Sequence, residues 1–260
     1  MKRVDDFSNL SRLIMANMKP GVLTNSFISP DEFRAEIDAG TLYTNEWSGG
    51  LLLLRARDGR HLLTYYIRDA DSAHEADLPP DTVIEITQKP GGNALAAKAV
   101  SYWTCFGFSP VLERIRMTRP ADCDVRLSAK RDVRFAQPED FDGAYTLLRD
   151  SFDMLTGCLP TERELRDDIS RGCVLCAGAD SIDGVLRVAL RSSSVEIQHL
   201  AVREALRGRG IARTLLGGFI REFGNKKCVV WTRDGYVPAI RVYTAAGFAP
   251  DGWRSTVMVG

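Results

Sequence analysis

Residues 195–220 read VEIQHLAVREALRGRGIARTLLGGFI, and this stretch decides the fold of the chain around it. The alternation of apolar residues over 195–202 predicts a strand, and the apolar period after Gly210 predicts a helix over about 211–223. Gly208 and Gly210 permit a tight turn where the loop meets the helix. Because the first N–H groups of a helix are unpaired and its dipole is positive there, this order predicts an anion site suited to a pyrophosphate.

The same loop is the most basic short segment of the sequence. Its arginines stand against a single acid, Glu204: they are Arg203, Arg207, Arg209 and Arg213. The whole chain of 260 residues is balanced, with 34 Lys and Arg against 34 Asp and Glu. A chain without a basic excess is not expected to bind nucleic acid. The local charge therefore indicates one small anionic ligand.

A dinucleotide-binding turn is an alternative interpretation of Gly208-Arg209-Gly210, with Asp234 as the acidic residue that follows it. This alternative fits poorly. The third glycine position holds Arg213, and residues 203–207 separate the strand from the first glycine, whereas a dinucleotide turn follows its strand directly. We therefore favour an anion site of another kind.

The segment 133–259 predicts one α/β domain. Its patterns predict helices over 138–152, 161–169, 211–223 and 238–246, and strands over 173–179, 185–191, 195–202, 228–232 and 254–259. Thr161 and Glu164 have the spacing of a capping box, which predicts the start of the second helix. The first half predicts fewer elements: a helix capped at Ser29, a helix over 93–106, and strands over 51–56, 61–67, 82–87 and 111–117.

An internal repeat connects the two halves. AVSYWTCFGFSP at residues 99–110 aligns without gaps on AIRVYTAAGFAP at residues 239–250, which places Trp103 on Tyr243. Chance similarity between two amphipathic helices followed by glycine is the alternative. If the repeat is real, the sequence contains two copies of one fold.

The six cysteines are scattered, unlike a disulfide framework. Cys173 and Cys176 form a CxxC pair, which could be a metal or redox site. On a strand, however, residues i and i+3 point to opposite faces, and no second Cys or His pair at zinc spacing accompanies them. We expect no metal. The start MKRVDDFSNLSRLI has two aspartates where a signal peptide needs an apolar stretch, and no apolar run approaches the ~20 residues of a membrane helix. We therefore expect a cytoplasmic protein that binds no membrane.

Three segments in order resemble the GCN5-related N-acetyltransferase (GNAT) superfamily, whose members bind acyl-coenzyme A. RGRGIA at residues 207–212 resembles the (Gln/Arg)-x-x-Gly-x-(Gly/Ala) signature, and HLAV at 199–202 resembles the strand before it. AIRVYTAAGF at 239–248 resembles the A-x-x-x-Y-x-x-x-G-F motif. One departure is Tyr236, which stands where many members have Asn, so one side-chain contact near the cofactor differs.

The resemblance implies an α/β (α+β) fold with two GNAT-like domains, each with a mixed, mostly antiparallel central sheet flanked by helices. The complete domain is expected over 130–260, and a degenerate copy or an accessory α/β domain over 1–125. In the repeat alignment, the loop at 207–212 falls on IRDADS at 67–72, which has no glycine and two aspartates. We expect the first domain not to bind coenzyme A in the usual manner.

The resemblance also implies acetyl-CoA as co-substrate and no metal. The residues expected to contact it are Leu200, Ala201, Val202, Arg207, Gly208, Arg209, Gly210, Ile211, Ala212, Arg213, Ala239 and Tyr243. The backbone N–H groups of 200–202 are the expected donors to the thioester and pantetheine arm, which requires their strand to part from its neighbour.

Direct attack of an amine on the thioester needs an acid and a base. By resemblance, Tyr243 is the expected acid for the leaving sulfur and Glu196 the expected base. On a regular strand Glu196 shares a face with Gln198 and Leu200, while His199 points the other way and is a weaker alternative base. A water molecule is the remaining alternative.

The expected function is an acyl-CoA-dependent N-acyltransferase that transfers acetyl to a primary amine in a ternary complex. A non-catalytic acyl-CoA-binding or interaction module is one alternative, and an aminoacyl-tRNA-dependent transferase is another, since some of those pair two such folds. Succinyl or propionyl in place of acetyl stays open. The expected partners are a small-molecule or peptide amine acceptor, with no nucleic acid, and the chain is expected to be a monomer or homodimer.

Overall fold

The structure is a computed structural model that describes residues 1–57, 59–72, 77–125, 127, 133–178 and 181–260. Its helices and strands are, in chain order, β1 (Lys2–Arg3), α1 (Phe7–Asn17), β2 (Leu23–Thr24), α2 (Pro30–Ala39), β3 (Leu42–Trp47), β4 (Gly50–Arg57), β5 (Arg60–Ile67), β6 (Thr82–Gln88), α3 (Asn93–Cys105), β7 (Ser109–Arg119), β8 (Val133–Phe135), α4 (Phe141–Ser151), α5 (Glu162–Ser170), β9 (Val174–Ala177), β10 (Gly184–Leu190), β11 (Ser194–Val202), α6 (Ile211–Phe223), β12 (Lys227–Arg233), α7 (Val237–Ala245) and β13 (Ala249–Val259). Short 3₁₀ turns precede α4 at Pro138–Asp140 and follow β11 at Glu204–Leu206.

Two compact units share these elements. Unit 1 consists of Met1–Glu113 and Arg254–Gly260, and unit 2 consists of Arg114–Trp253. The units therefore differ from the expected domains 1–125 and 130–260 because the long strands β7 and β13 are each divided between them. The expected domain limits stay a prediction, and residues 130–132 at the start of the second lie outside the described residues.

The sheet of unit 1 has the order β1-β3-β4-β5-β6 and is completed by the end of β13. Its first four strands pair antiparallel, and β5 pairs parallel with β6. The last strand pairs antiparallel with β6, from Arg254 opposite Gln88 to Val259 opposite Val83. The apolar run in β4 is buried on both faces, because Leu51 packs towards α1 and α2 whereas its neighbour on the strand packs towards α3.

The sheet of unit 2 has the order β8-β9-β10-β11-β12 and is completed by residues 114–119 of β7. The strands from β8 to β11 pair antiparallel, β11 pairs parallel with β12, and β7 pairs antiparallel with β12. This is the predicted mixed, mostly antiparallel sheet flanked by helices, and the fold class is confirmed.

Helices cover both faces of the unit 2 sheet. On the side that we call the α4–α5 face, the buried cluster includes Leu148, Leu165 and Val185. On the side that we call the α6–α7 face, it includes Phe219 and Phe248. These two faces define the two sides of the candidate site.

Most predicted elements of unit 2 are found close to their expected bounds. The helix α6 covers 211–223 as predicted, and α5 begins behind the predicted capping box, in which Thr161 and Glu164 each accept a hydrogen bond from the other's backbone N–H. Ala179, at the end of the predicted strand 173–179, lies outside the described residues. In unit 1, α1 and β3 were not predicted, although Asp6 caps α1 by accepting from the backbone N–H of Asn9.

The repeat has a structural counterpart. The helices α3 and α7 are each followed, two residues after their last residue, by a glycine with φ of 86°: Gly107 and Gly247. The N–H of Phe108 donates to the carbonyl of Trp103 at 3.1 Å, and the N–H of Phe248 donates to the carbonyl of Tyr243 at 3.1 Å. A long strand follows each turn directly. The aligned segments therefore adopt the same helix–turn–strand conformation.

The two halves of the sequence contribute their last strands crosswise to the sheets. β7 follows α3 along the chain, yet residues 114–119 belong to unit 2 and pair with β12. β13 follows α7, yet residues 254–259 belong to unit 1 and pair with β6. Each sheet is thus completed by a strand from the other half of the sequence.

In the described part of the chain, every helix falls short of the length and hydropathy that crossing a membrane requires.

Candidate functional site

The strand β11 contains a β-bulge at Gln198. His199 lies opposite Arg187 on β10, whereas the next residue of β10, Val188, lies opposite Ile197. One residue of β11 is therefore extra, and the alternation of side chains reverses there. Ile197 packs on the α6–α7 face before the bulge, and Leu200 packs on the same face after it.

Because of the bulge, the two candidate bases, Glu196 and His199, lie on other faces of the sheet relative to Leu200 than a regular strand would give. Glu196, like Val229 opposite it, lies on the α4–α5 face, because the next pair along both strands packs on the α6–α7 face. His199 also lies on the α4–α5 face, where it contacts Phe152. The expectation that Glu196 shares a face with Leu200 while His199 points the other way is wrong, because an extra residue separates them.

The strands β11 and β12 part beyond the bulge. Their parallel pairing runs from Ser194 opposite Lys227 to Ile197 opposite Val230, whereas β11 continues to Val202 and β12 to Arg233. The backbone groups of residues 198–202 therefore lie outside the ladder with β12. This opening is the geometry that the expected thioester contacts of 200–202 require.

The loop after β11 has two left-handed glycines. Gly208 has φ of 79° and Gly210 has φ of 84°. A Cβ atom at either position would meet no atom within 4 Å, so the backbone conformation rather than crowding makes glycine necessary. The space beside both glycines is open to a ligand.

The start of α6 has no side-chain cap. Gly210 is its N-cap residue and carries no side chain, whereas Ser29 of α2 and Thr161 of α5 accept hydrogen bonds from their helices. The first N–H groups of α6 are consequently available to an anion. Four exposed arginines lie in the loop before this helix and on its first turn: Arg203, Arg207, Arg209 and Arg213.

Two of these arginines donate hydrogen bonds to backbone carbonyls. The guanidinium of Arg203 donates to the carbonyl of Ile182 at 2.8 Å, and that of Arg207 donates to the carbonyl of Val202 at 3.3 Å. Arg207 is therefore held beside the end of the strand that parts from β12. The arrangement places positive charge at the mouth of the opening.

Tyr243 lies in the buried cluster of the α6–α7 face. Its ring contacts Phe248 with 5.8 Å between the centroids. Burial raises the pKa of the Tyr243 phenol far above its usual value, so the hydroxyl keeps its proton at neutral pH.

The same cluster collects part of the expected cofactor set. Its members include Leu200, Val202, Ile211, Ala239 and Tyr243. Ala201 instead packs on the α4–α5 face, where only its backbone remains available to the opening. Ala212 is half-buried and Arg213 is exposed on the first turn of α6.

The two candidate bases differ in their surroundings. The carboxylate of Glu196 forms an ion pair with Arg191 at 3.5 Å, and its side chain is 22% exposed. His199 is buried, and its Nε2 lies 2.9 Å from the carbonyl oxygen of Gly157. Because a carbonyl only accepts, Nε2 carries the proton and donates. His199 thus anchors the loop between α4 and α5 to β11.

A model of the acetyltransferase (GNAT) family matches residues 142–248, which contain the glycine loop, the opening and Tyr243. These residues form a GNAT domain. No curated protein matches the sequence.

Solved structures of the same family resemble the chain over nearly its whole length. A GNAT acetyltransferase from Sphaerobacter thermophilus has 16% identity and a TM-score of 0.60, over 99% of this chain and 94% of that one. An acetyltransferase of the family from Colwellia psychrerythraea has 13% identity and a TM-score of 0.58, over 99% and 98%. A tandem GNAT protein from the clavulanic acid biosynthesis pathway has 12% identity and a TM-score of 0.55, over 95% and 91%. At these identities the likeness is one of fold, and it extends beyond the GNAT domain.

Unit 1 contains a counterpart of the opening, with a different residue beside it and no helix to match α6 among its described residues. The pairing of β5 with β6 ends at Leu62 opposite Val83, and β5 continues to Ile67. Trp103, which stands where the GNAT domain has Tyr243, is fully buried with its ring 5.2 Å from that of Tyr65. The described residues between β5 and β6, 68–72 and 77–81, contain no helix that corresponds to α6.

Arg119 is a residue that sequence reasoning missed. It is buried, and its guanidinium donates to the carbonyls of Ala246 at 3.2 Å and Gly224 at 3.3 Å, which end α7 and α6 of the GNAT domain. It also donates to the carbonyls of Cys123 at 2.8 Å and Val125 at 3.2 Å. The available signal was its spacing of two from apolar Met117, which places both on the same face of β7.

The CxxC pair lies in an extended segment whose side chains alternate between the two faces of the sheet. Cys173 packs on the α6–α7 face and Cys176 on the α4–α5 face, so the two thiols cannot share a ligand. Burial raises the pKa of Cys176 to about 12 and raises that of Cys173 above its usual value. Within the described residues, no group of three or more His, Cys, Asp or Glu side chains could hold a metal.

Proposed function

We propose that this protein is an acyl-CoA-dependent N-acyltransferase that transfers acetyl from acetyl-CoA to a primary amine, by direct attack within a ternary complex. The observation that carries this proposal is the uncapped start of α6. It follows two left-handed glycines with open space beside them, exposed arginines lie in the loop before it and on its first turn, and the loop follows a strand that leaves its ladder. Membership of residues 142–248 in the GNAT family supports the same chemistry.

The proposed cofactor contacts follow from this arrangement. The pyrophosphate binds the N–H groups between Gly208 and Ala212, and the exposed guanidiniums of Arg207, Arg209 and Arg213 balance its charge. The pantetheine arm enters the opening and pairs with the backbone of residues 200–202. The half-buried Ala239 on the first turn of α7 leaves room for this arm.

The chemical step needs a proton acceptor for the attacking amine and a proton donor for the leaving sulfur. The amine nitrogen bonds to the acetyl carbon, the carbon–sulfur bond breaks, and the electron pair leaves with sulfur. We propose that Tyr243 protonates the sulfur and that Glu196 accepts the amine proton. Glu196 and Tyr243 lie on opposite faces of the sheet, so the proposed proton acceptor and the proposed proton donor are separate groups that approach the opening from its two sides.

A matched pair of variants at Gly210 tests the anion site. Asn and Asp have the same shape and both tolerate positive φ, but only Asp carries a charge. We expect acetyl-CoA to stabilise the wild type and Gly210→Asn against heat, and to bind Gly210→Asp at least about tenfold more weakly because two anions repel. The measurement is the shift in Tm over a series of acetyl-CoA concentrations.

A second ligand serves as the control for this test. S-acetyl-pantetheine lacks the pyrophosphate, so it should not distinguish the Asn variant from the Asp variant. Equal stabilisation of both variants by acetyl-CoA would contradict the proposed phosphate contacts, and absence of stabilisation in the wild type would contradict the proposed function itself.

A further inference from the structure

The open end of β12 presents two side chains to the α4–α5 face. Val230 is the last residue of β12 that pairs with β11, and it packs on the α6–α7 face. Because side chains alternate along a strand, Trp231 and Arg233 lie on the α4–α5 face beyond it. Trp231 is half-buried and Arg233 is exposed. Arg233 therefore brings a positive charge to the side of the opening on which Glu196, the proposed base, lies.

The loop between α4 and α5 is bound to the strands on both sides of β12. On β7, the guanidinium of Arg114 donates to the carbonyl of Thr156 and lies 4.0 Å from Sγ of Cys158. On β11, Nε2 of His199 donates to the carbonyl of Gly157 at 2.9 Å. Since β12 runs between β7 and β11, this loop bounds the open end of β12 on the α4–α5 face.

Arg233 has an unfavourable neighbour and no counterion. It lies directly opposite Arg114 on β7, and like charges in that position repel each other. The guanidinium of Arg114 is held by the carbonyl of Thr156. Among the described residues no acid forms an ion pair with Arg233, the neighbouring Asp234 included. An anion bound at Arg233 would relieve this repulsion.

The carboxylates on this side of the sheet have other partners. Asp251 accepts from Nε of Arg116 at 2.9 Å and from Nη2 at 2.7 Å. Glu196 forms an ion pair with Arg191 at 3.5 Å. In the loop between α4 and α5, Asp153 accepts backbone N–H groups of its own turn. The charge left without a partner is that of one guanidinium.

The indole of Trp231 offers an apolar surface beside this charge. Indole faces attract cations, and one cation already lies near this ring. The guanidinium carbon of Arg116 is 5.8 Å from the centroid of Trp231 and 4.2 Å from that of Trp253. A further cation on Trp231 would meet the uncompensated charge of Arg233, whereas a methylene chain would not.

The spacing along β12 limits where the two ends of an acceptor can lie. Val229 lies opposite Glu196, and Arg233 is four residues further along the strand. At the rise of a strand this is about 13 Å, part of which the Glu196 and Arg233 side chains span themselves. An amine at Glu196 and an anion at Arg233 must therefore be joined by a chain of several atoms.

We propose that the acceptor is an ω-amino carboxylate, a primary amine with a carboxylate at the far end of a short methylene chain, and that Arg233 binds this carboxylate. The inference rests on the proposed function, because it assigns the acceptor side of the same opening. One guanidinium without a counterion matches the single charge of a carboxylate, to which it can donate two parallel hydrogen bonds. The methylene chain packs along Trp231. Arg233 is thus the specificity-determining residue.

Three amines of one chain length test the selection. 6-Aminohexanoate, 6-aminohexanamide and 1,6-diaminohexane differ in the group at the far end: a carboxylate, a neutral amide or a cation. With saturating acetyl-CoA, low salt and detection of released thiol, we expect kcat/KM for 6-aminohexanoate to exceed that for the amide about tenfold and that for the diamine by more. The isomer 2-aminohexanoate, with both groups on one carbon, should be a poor acceptor.

Variants with the same change of charge test Arg233 itself. We expect Arg233→Gln to use the acid and the amide equally, and Arg233→Glu to prefer the diamine, with unchanged stabilisation of both variants by acetyl-CoA. Arg221→Glu is the matched control. Arg221 lies on α6 and donates to the carbonyl of Val133 on β8, at the far edge of the unit 2 sheet, so this variant should keep the wild-type preference.

The possible outcomes separate this proposal from the proposed function. Equal or better use of the amide or the diamine by the wild type, or use of none of these amines by a protein that acetyl-CoA stabilises, would overturn the ω-amino carboxylate. An unchanged preference in both Arg233 variants, or an equal change in Arg221→Glu, would refute the role of Arg233. Absence of acetyl-CoA stabilisation in the wild type would instead refute the proposed function.

Discussion

The phenol of Tyr243 is removed from water, and this decides what it can contribute. Burial raises its pKa, so the hydroxyl remains a donor over the whole range in which proteins work. A general acid loses its effect only as the pH rises through its pKa. For Tyr243 this loss is therefore expected above about pH 10, the usual value for tyrosine.

We expect Tyr243→Phe to lower kcat about 100-fold, because a positioned general acid contributes 10²–10⁴-fold and the packing of the ring is kept. Stabilisation by acetyl-CoA should change little, which separates the chemical step from binding. The measurement is the initial rate of thiol release as a function of pH, and the wild type should show no alkaline decline from this group below about pH 10. Full turnover by the Phe variant would show that the proton comes from elsewhere.

At the residue scale, the predictable features of the candidate site are those that follow from residue type. They are the backbone conformation at glycine and the positive charge of arginine. Gly208 and Gly210 have positive φ as a glycine loop requires, and the arginines around them are exposed. The faces of Glu196 and His199 were not predictable from alternation. A single extra residue at Gln198 reverses the pattern, and a bulge leaves no mark in the residue types.

At the scale of elements, Arg119 joins the ends of the two helices that carry the site. The carbonyl ends of helices are the negative ends of their dipoles, so a cation is stabilised between the ends of α6 and α7. The same guanidinium holds the segment around Cys123 and Val125. It therefore fixes the spacing of α6, which begins at the glycine loop, from α7, which carries Tyr243.

We expect Arg119→Met to lower the free energy of unfolding by about 2–4 kcal/mol, because it keeps an apolar stem but leaves buried carbonyls without donors. The free energy of unfolding of Arg119→Lys should lie between those of the wild type and Arg119→Met, since one ammonium cannot reproduce the planar fork of the guanidinium. Urea denaturation measures the change. Arg221→Met removes an arginine from α6 whose side chain is 55% exposed, and it should cost less than about 0.5 kcal/mol. Equal stability of Arg119→Met and the wild type would contradict this account.

Helices and strands whose own residues show a clear apolar period were predictable from the sequence. Strands that form because neighbouring strands pair with them were not. The helix α6 combines an apolar period with glycines at its start, and it was found at the expected residues. The strand β3 has the mixed sequence LYTNEW, and it is a strand because β1 and β4 pair with it on either side. Its position therefore depends on contacts that are distant in sequence.

At the scale of the whole molecule, the repeat was readable from the sequence, but the crosswise use of its last strands was not. Nothing in residues 109–119 or 249–259 specifies which sheet they complete, because pairing depends on the fold around them. As a result, Met258 is fully buried in unit 1 whereas Phe248, close to it along the chain, is buried in unit 2.

This division predicts opposite regional effects of two similar truncations. We expect Met258→Ala to speed amide hydrogen exchange mainly in β4, β5 and β6, and Phe248→Ala to speed it mainly in β10, β11 and β12, because each leaves a cavity in a different cluster. Exchange followed by mass spectrometry on peptides resolves the two regions. Faster exchange of unit 2 as the main effect of Met258→Ala would contradict the assignment of the last strand.

The crosswise strands also set an order of events on the ribosome. When β6 emerges, the segment that completes its sheet, residues 254–259, has not been made, and all of unit 2 is translated in between. The nascent first half therefore presents an unpaired strand edge for most of synthesis. In a polysome, the same segment of a neighbouring finished chain could pair there first, so exchange of this strand between molecules is the misassembly that we expect when expression is fast.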